Sequence, residues 1–225
     1  MAGKVGWLAR GSRPDLLFPQ VEMSTKFVKG KVRDLLVAHK AMRRIQANQS
    51  AFQIKSLGAF SEWSVEVSTD ASLGNLNEGV NSTGAILVIL ANNKGTCVPI
   101  LWKTNKLRRI VDSTLEAECI ALGEGLKEAI YIREIIEEIC NLGFKSVPLR
   151  AIVDNKNMVD AIHSTAPVED KRLRRDVSKI KEMLNTGEVS SVSWCPGKDQ
   201  LADCMTKRTA PYYTLLSLMQ TGTRP

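Results

Sequence analysis

The sequence predicts an α/β fold, a mixed β-sheet with helices packed on it, preceded by a helical N-terminal segment. Three observations predict it. Hydrophobic spacing is helical over residues 14–28 and 30–47 and changes to period two at Trp63. From Trp63 the elements read β-β-β-α-β-α-α-β-α, a meander with short links followed by α/β crossovers. Four acids, Asp70, Glu118, Asp154 and Asp203, stand at the edges of those elements, where a carboxylate can leave the core and face a shared site.

The elements follow in order. Residues 14–28 and 30–47 read as helices, with Pro19 expected to kink or break the first. The second carries Val32, Leu35, Leu36, His39, Met42 and Ile45 at helical spacing, which places His39 in the core. Residues 48–62 read as a connecting stretch with Phe52 and Ile54 in a short strand. Val65, Val67 and Thr69 share one face of a strand ending at Asp70. The turn-rich SLGNLNEGVNS follows, then the strand TGAILVILA, the turn NNKG and the strand TCVPILWK. A long helix opens at Ser113–Thr114 and runs to about Cys140, its core stripe being Leu115, Cys119, Leu122, Leu126, Ala129 and Ile130. The strand VPLRAIVD ends at Asp154 and leads to a helix through Met158 and Ile162. A basic amphipathic helix with Leu173, Val177, Ile180 and Leu184 comes next. The strand VSSVSWCP, the turn GKDQ, a short helix at LADCMTK and a last helix, PYYTLLSLMQ, close the pattern. Trp102 and Trp194 lie in strands and are expected in the core.

With 225 residues, 44% of them hydrophobic, the chain can bury a sizeable core. No apolar run reaches membrane-spanning length, and the start lacks the apolar stretch of a secretory signal. The five cysteines show neither paired nor zinc-type spacing and read as reduced thiols, so a cytoplasmic or nuclear protein is expected, not a secreted one. The net charge of +7 is unevenly spread. Residues 1–62 hold eleven Lys/Arg against four Asp/Glu, whereas residues 63–225 hold twenty of each. A polyanion-facing arm on a balanced domain, or a solvated helical surface, would produce that asymmetry.

The acids pose an electrostatic problem. At 4 Å and an effective dielectric near 20, two ionised carboxylates repel by about 4 kcal/mol. A cluster must therefore hold protons or bind hard cations such as Mg²⁺, whose natural use beside carboxylates is phosphodiester chemistry. Each strand-end Asp taken alone also fits a cap or turn, and Asp203 an N-cap. On the long helix, Glu116 shares its flank with Lys127 and Glu134, a solvated surface. Glu118 shares its flank with Ala121, Gly125 and Ala129, where a helix can approach a sheet closely, and is the better inward-facing acid.

From Trp63 to about Thr209 the sequence resembles the ribonuclease H domain of Ty1/copia-type retrotransposon Pol polyproteins. The likeness is carried by VSTDAS, STG, VDSTLEAECIAL, KEAIYIREIIEEI, IVDN and WCPGKDQLADCMTK. Upstream, GWLARGSRPDLLFPQVEMSTKF and the basic helix after it resemble the segment joining polymerase to ribonuclease H in the same polyproteins. The resemblance implies a basic helical segment over 1–62 from the end of a reverse transcriptase, a ribonuclease H-like domain over 63–209 and a C-terminal helix or tail over 210–225. It implies a five-stranded mixed sheet with helices on both faces. It also implies two-metal hydrolysis of the RNA strand of RNA–DNA hybrids, using Mg²⁺ with Mn²⁺ as a substitute. Asp70 would bridge both ions, Glu118 is the acid of the family's helix start, Asp154 would ligate a metal or support the attacking water, and Asp203 would complete the second metal site. The D-E-D-D order disagrees with the D-D-E order of integrases and transposases.

Lys103, Thr104, Asn105, Lys106, Arg108 and Arg109, between the third strand and the long helix, are expected to contact phosphate or sugar. Lys171, Arg174 and Arg175 on the basic helix are a second group of nucleic-acid contacts. The loop before Asp203 is PGKDQ, without the histidine that cellular ribonucleases H carry there, which lowers the expected turnover. No YxDD-type polymerase motif is present, so the chain reads as a Pol fragment, or a host reading frame derived from one, with the polymerase part of the polyprotein as partner. The alternative reading is a degenerate or co-opted module that binds nucleic acid, or serves as a connection, without cutting. The oligomeric state stays open.

Overall fold

The sheet is built from β1 (Trp63–Leu76), β2 (Asn81–Asn92), β3 (Cys97–Lys106), β4 (Leu149–Val153) and β5 (Ser191–Trp194), laid side by side in the order β3-β2-β1-β4-β5. β1, β2 and β3 form an antiparallel meander, β4 runs parallel to β1, and β5 runs parallel to β4. This computed structural model describes residues 2–26, 30–49, 52–76, 79–141 and 146–224. Residues 27–28 of the first expected helix, 50–51 of the connecting stretch, 77–78 of the turn-rich loop and 225 of the tail lie outside them.

Seven helices are described: α1 (Ala2–Gly11), α2 (Leu17–Thr25), α3 (Leu35–Ala47), α4 (Thr114–Ile139), α5 (Lys156–His163), α6 (Lys171–Asn185) and α7 (Tyr213–Thr221). On one face of the sheet, α4, α5 and α6 bury Leu122, Leu126, Met158, Val177 and Ile180 against Val65, Val67, Val88 and Leu149. On the other face α1, α2 and α7 bury Val5, Ala9, Leu17, Leu215 and Leu218 against Leu87 and Ile89 of β2. The expected ribonuclease H-like architecture is therefore present: a five-stranded mixed sheet, helices on both faces, and a helical N-terminal region. That region packs directly on the sheet, and the Trp102 indole donates to the Ala9 carbonyl at 2.8 Å.

Local signals set the helix starts. Ser113 caps α4 by accepting from the Glu116 amide, Asn155 caps α5 through the Met158 amide, and Asp170 caps α6 through the Arg172 and Leu173 amides. The α4 stripe is as expected, with Cys119, Leu122, Leu126 and Ala129 buried and Leu115 and Ile130 partly so.

Several expectations are corrected. α1 was not foreseen, because it buries small residues, Gly6 and Ala9, beside Val5 and so lacks a bulky stripe. Pro19 does not break α2. It stands in the helix's first turn, where its missing N–H has no intrahelical partner to lose. α3 turns a different side inward: Ala38 and Ala41 are buried, while Leu35, Leu36 and His39 are exposed, so His39 is not a core residue. Phe52 and Ile54 form no strand; Phe52 meets Trp102 edge-on and Ile54 is exposed. β1 does not end at Asp70 but runs on to Leu76, paired with β2 at Ala71, Ser72 and Leu76 with a register shift between Ser72 and Leu76. β3 extends through Lys106, so Lys103–Lys106 are strand residues paired with β2.

Candidate metal centre

β1 outruns its parallel neighbour. Their pairing ends at Ser68↔Ile152, and two further steps along each strand bring Asp70 level with Asp154. Strand alternation puts both acids on the face opposite Val67 and Val153. Glu118 arrives from α4 on the other face and meets them past the end of β4.

α4 can come that close because position 125 is glycine. A Cβ there would lie 2.5 Å from the Thr69 Cγ2 and 3.2 Å from the Val67 Cγ2. Glu118 stands seven residues, about two turns, before that contact. One carboxylate oxygen each from Asp70, Glu118 and Asp154 falls within 4.8 Å of the others. Asp70 is fully buried, Glu118 is 6% exposed and Asp154 is half-buried.

Burial dominates the chemistry of this group. Desolvation pushes the Glu118 carboxyl up to about 9, helped by the charges of Asp70 and Asp154. Desolvation also raises Asp70, to about 6, against the opposing pull of Lys207 and the Thr206 hydroxyl. Glu118 Oε2 and Asp154 Oδ1 are buried without a hydrogen-bond partner among the described residues. Two orphaned acceptor oxygens in a three-carboxylate cluster fit a hard divalent cation, which takes oxygen ligands and offsets the repulsion.

Asp203 joins the group differently. It begins a short 3₁₀ turn, Asp203–Met205, and does not cap it; Ala202 holds the cap position. Asp203 is linked to Asp70 through Lys207, whose ammonium donates to Asp70 Oδ1 at 3.2 Å and also to Asp203 Oδ1. The Thr206 hydroxyl donates to Asp70 Oδ2. Burial opposes the charge on Lys207, but Asp70 and Asp203 outweigh it and hold the ammonium above its ordinary range. Three side chains pin this segment over the sheet. Gln200 donates to the Thr69 carbonyl at 3.0 Å, Thr104 to the Met205 carbonyl at 2.9 Å and Asn75 to the Thr206 carbonyl at 2.8 Å. Sequence reasoning missed Gln200, Thr206 and Lys207; the signal available was the i, i+4 spacing of Asp203 and Lys207.

Other expected residues are dispersed. Glu116 is buried, not solvated, because the preceding loop folds back on it: it accepts from the Asp112 amide at 3.0 Å and pairs with Arg109 at 3.1 Å. Arg109 also pairs with Asp176 of α6. Lys103 pairs with Glu128 at 2.7 Å, and Thr104 is buried. Asn105, Lys106 and Arg108 are exposed, as are Lys171, Arg174 and Arg175, with Arg174 turned back to the carbonyls of Val168 and Glu169. Trp194 is 48% exposed instead of core, and its indole donates to the Asp154 carbonyl at 2.9 Å. In the basic N-terminal segment, Arg13 is buried in a two-pronged pair with Asp15, and Arg44 donates to the Asp15 carbonyl; Lys4, Arg10, Lys40 and Arg43 are exposed. All five cysteines are free thiols. Among the described residues no helix is long and apolar enough to cross a membrane.

No protein-family model matches the chain, and neither does any curated protein. Solved structures that align with it include ribonuclease H1 of the halophilic archaeon Halobacterium salinarum, at 17% identity and a TM-score of 0.44 over 65% of this chain and 96% of that one. LC11-RNase H1 in complex with an RNA/DNA hybrid aligns at 14% identity and a TM-score of 0.44 over 67% of this chain and 99% of that one. The protease–reverse transcriptase of prototype foamy virus aligns at 12% identity and a TM-score of 0.43 over 88% of this chain but 28% of that one. The fold assignment rests on the sheet order and strand directions described above, not on these alignments.

Proposed function

We propose that the chain is a divalent-metal-dependent ribonuclease H that hydrolyses the RNA strand of RNA–DNA hybrids. The observation that carries this reading is the meeting of Asp70, Glu118 and Asp154, from two parallel strands and a helix, with two buried oxygens left without partners. Asp203 stands beside them and completes the D-E-D-D set. Mg²⁺ or Mn²⁺ bound to these acids supplies Lewis-acid polarisation of the phosphodiester and a nucleophilic water at neutral pH, and two such ions suit an in-line displacement. The chain's part is to hold those cations, to fix their position through α4 and the pinned Gln200–Lys207 segment, and to release the Glu118 proton as metal binds. No side-chain nucleophile is required. Asn105, Lys106 and Arg108, at the end of β3 and in the loop after it, and Lys171 and Arg175 on α6 are the exposed groups proposed to follow phosphates and 2′-hydroxyls. The STLEAECIAL and QLADCMTK blocks support an origin in a Ty1/copia-type retroelement, with its polymerase as neighbour.

One observation favours the non-catalytic alternative: the Lys207 ammonium already neutralises Asp70 and Asp203. Cleavage of a labelled RNA–DNA hybrid in Mg²⁺ separates the two readings. The expected result is RNA-strand cleavage by the wild-type chain, reduced by at least about a hundredfold in Asp70→Asn. No cleavage, or equal cleavage by both proteins, sinks the hydrolase reading.

A further inference from the structure

Lys207 stands in an unusual place for a fixed positive charge. It is a cation built into a group of acids whose other free oxygens ask for one. Three carboxylates converge directly, while the fourth, Asp203, reaches Asp70 through the Lys207 ammonium. The backbone on which Lys207 rides is anchored by Gln200, Thr104 and Asn75, so its Cα is tied to the sheet. Its side chain is not trapped in the same way. Asp70 has no exposed surface, but the Lys207 side chain is 37% exposed and has an open route to solvent. Four rotatable bonds let the ammonium leave Asp70 without moving the segment that carries it. A divalent ion approaching Asp70 and Asp203 would meet a like charge at hydrogen-bond distance, and the two cannot share those oxygens.

We infer that Lys207 is a displaceable internal cation, holding the Asp70–Asp203 position in the metal-free chain and swinging out when a divalent ion enters there. The Asp70–Glu118–Asp154 position then loads first, and the Asp70–Asp203 position loads at the cost of the lysine contact. This deepens the proposed hydrolase reading by assigning an order of metal loading, and it rests on that reading for the use of the ions but not for their binding.

The test is metal binding, read without substrate. The full chain is titrated with Mn²⁺ by calorimetry as wild type, Lys207→Met and Lys207→Arg. The expected result is two ions bound in each protein at saturation, the second about tenfold more tightly in Lys207→Met, while Lys207→Arg, which keeps the charge, stays near wild type. Equal affinity for the second ion in wild type and Lys207→Met overturns the inference. A readout on the wild-type chain covers a Lys207→Met protein that fails to fold. The ¹⁵N signal of the Lys207 ammonium should move to that of a freely hydrated lysine on addition of Mg²⁺. A signal unchanged at saturating Mg²⁺ overturns the inference. Displacement of Lys207 without hybrid cleavage would count against the hydrolase reading alone; cleavage with Lys207 undisplaced would count against the displacement alone.

Discussion

Glu118 keeps its proton to about pH 9 and Asp70 to about pH 6, both above the ordinary carboxyl range because burial disfavours their charge. Across that range the folded, metal-free chain binds more protons than the unfolded chain, so unfolding free energy falls as pH rises. The stability tied to these two groups is fully present below about pH 4 and is lost in turn as pH passes 6 and then 9. Thermal melts in EDTA should therefore drop steadily from pH 5 to pH 9. Mg²⁺ should restore stability at pH 8 and do little at pH 5. A flat profile in EDTA would show that these carboxyls are not buried together. Asp70, Glu118 and Asp154 were singled out from the sequence and do converge, although Asp70 lies within β1 and not at its end, and the helical wheel favoured Glu118 over Glu116 as the inward-facing acid. What the wheel could not show is that Glu116 is also buried, because the chain that buries it is the loop in front of the helix. Lys207 was half legible. Its spacing to Asp203 is local, but its contact with Asp70 spans 137 residues.

At the scale of the element, the α4–β1 contact decides whether Glu118 reaches the strands. Gly125→Ala gains about 1 kcal/mol of helix propensity. It also drives a methyl to 2.5 Å from a Thr69 methyl group in a packed interface, where overpacking costs typically about 1–3 kcal/mol. The steric term should win, because Thr69 is β-branched, fully buried and held in the central strand. Gly123→Ala makes the matching control, since a Cβ there meets nothing within 4 Å. Urea unfolding should show Gly123→Ala stabilised by roughly 0.5–1 kcal/mol and Gly125→Ala destabilised. Mn²⁺ affinity should fall in Gly125→Ala alone, because only there does the helix carrying Glu118 move away. Equal effects of the two substitutions would remove close packing as the reason for the glycine. The small-residue flank of Glu118 made this contact legible in advance. The extents of β1 and β3 were not, because Gly74 and Asn75 are turn-prone and Thr104–Lys106 are polar; Ser72, Leu76 and Thr104–Lys106 pair with β2, with a register shift between Ser72 and Leu76.

The described residues of the molecule form two large cores, one on each face of the sheet, and a smaller cluster of Ala71, Leu107, Val111, Ala117 and Ala121. Leu16, fully buried among the N-terminal helices, belongs to the same core as Leu87, Leu215 and Met205. Leu16→Ala should cost about 2–5 kcal/mol in chemical unfolding, with one cooperative transition for the entire chain. A separate transition for the first 62 residues would show that the second core is not shared. The uneven charge pointed to an arm reaching outward, and Lys4, Arg10, Lys40 and Arg43 do face solvent. Arg13 and Arg44 are instead used within the fold, against Asp15. That use was hidden because composition counts charges without their partners. The pinning of Gln200–Lys207 has a further consequence, one for biosynthesis. Asp70, Glu118 and Asp154 have all been made by residue 154, whereas Lys207 comes more than fifty residues later. At roughly 5–20 residues per second Lys207 follows Asp154 within seconds, and a chain that folds as one unit closes the site only when both are present. The lysine is then the cation at hand when Asp70 and Asp203 first meet, and a divalent ion is the latecomer.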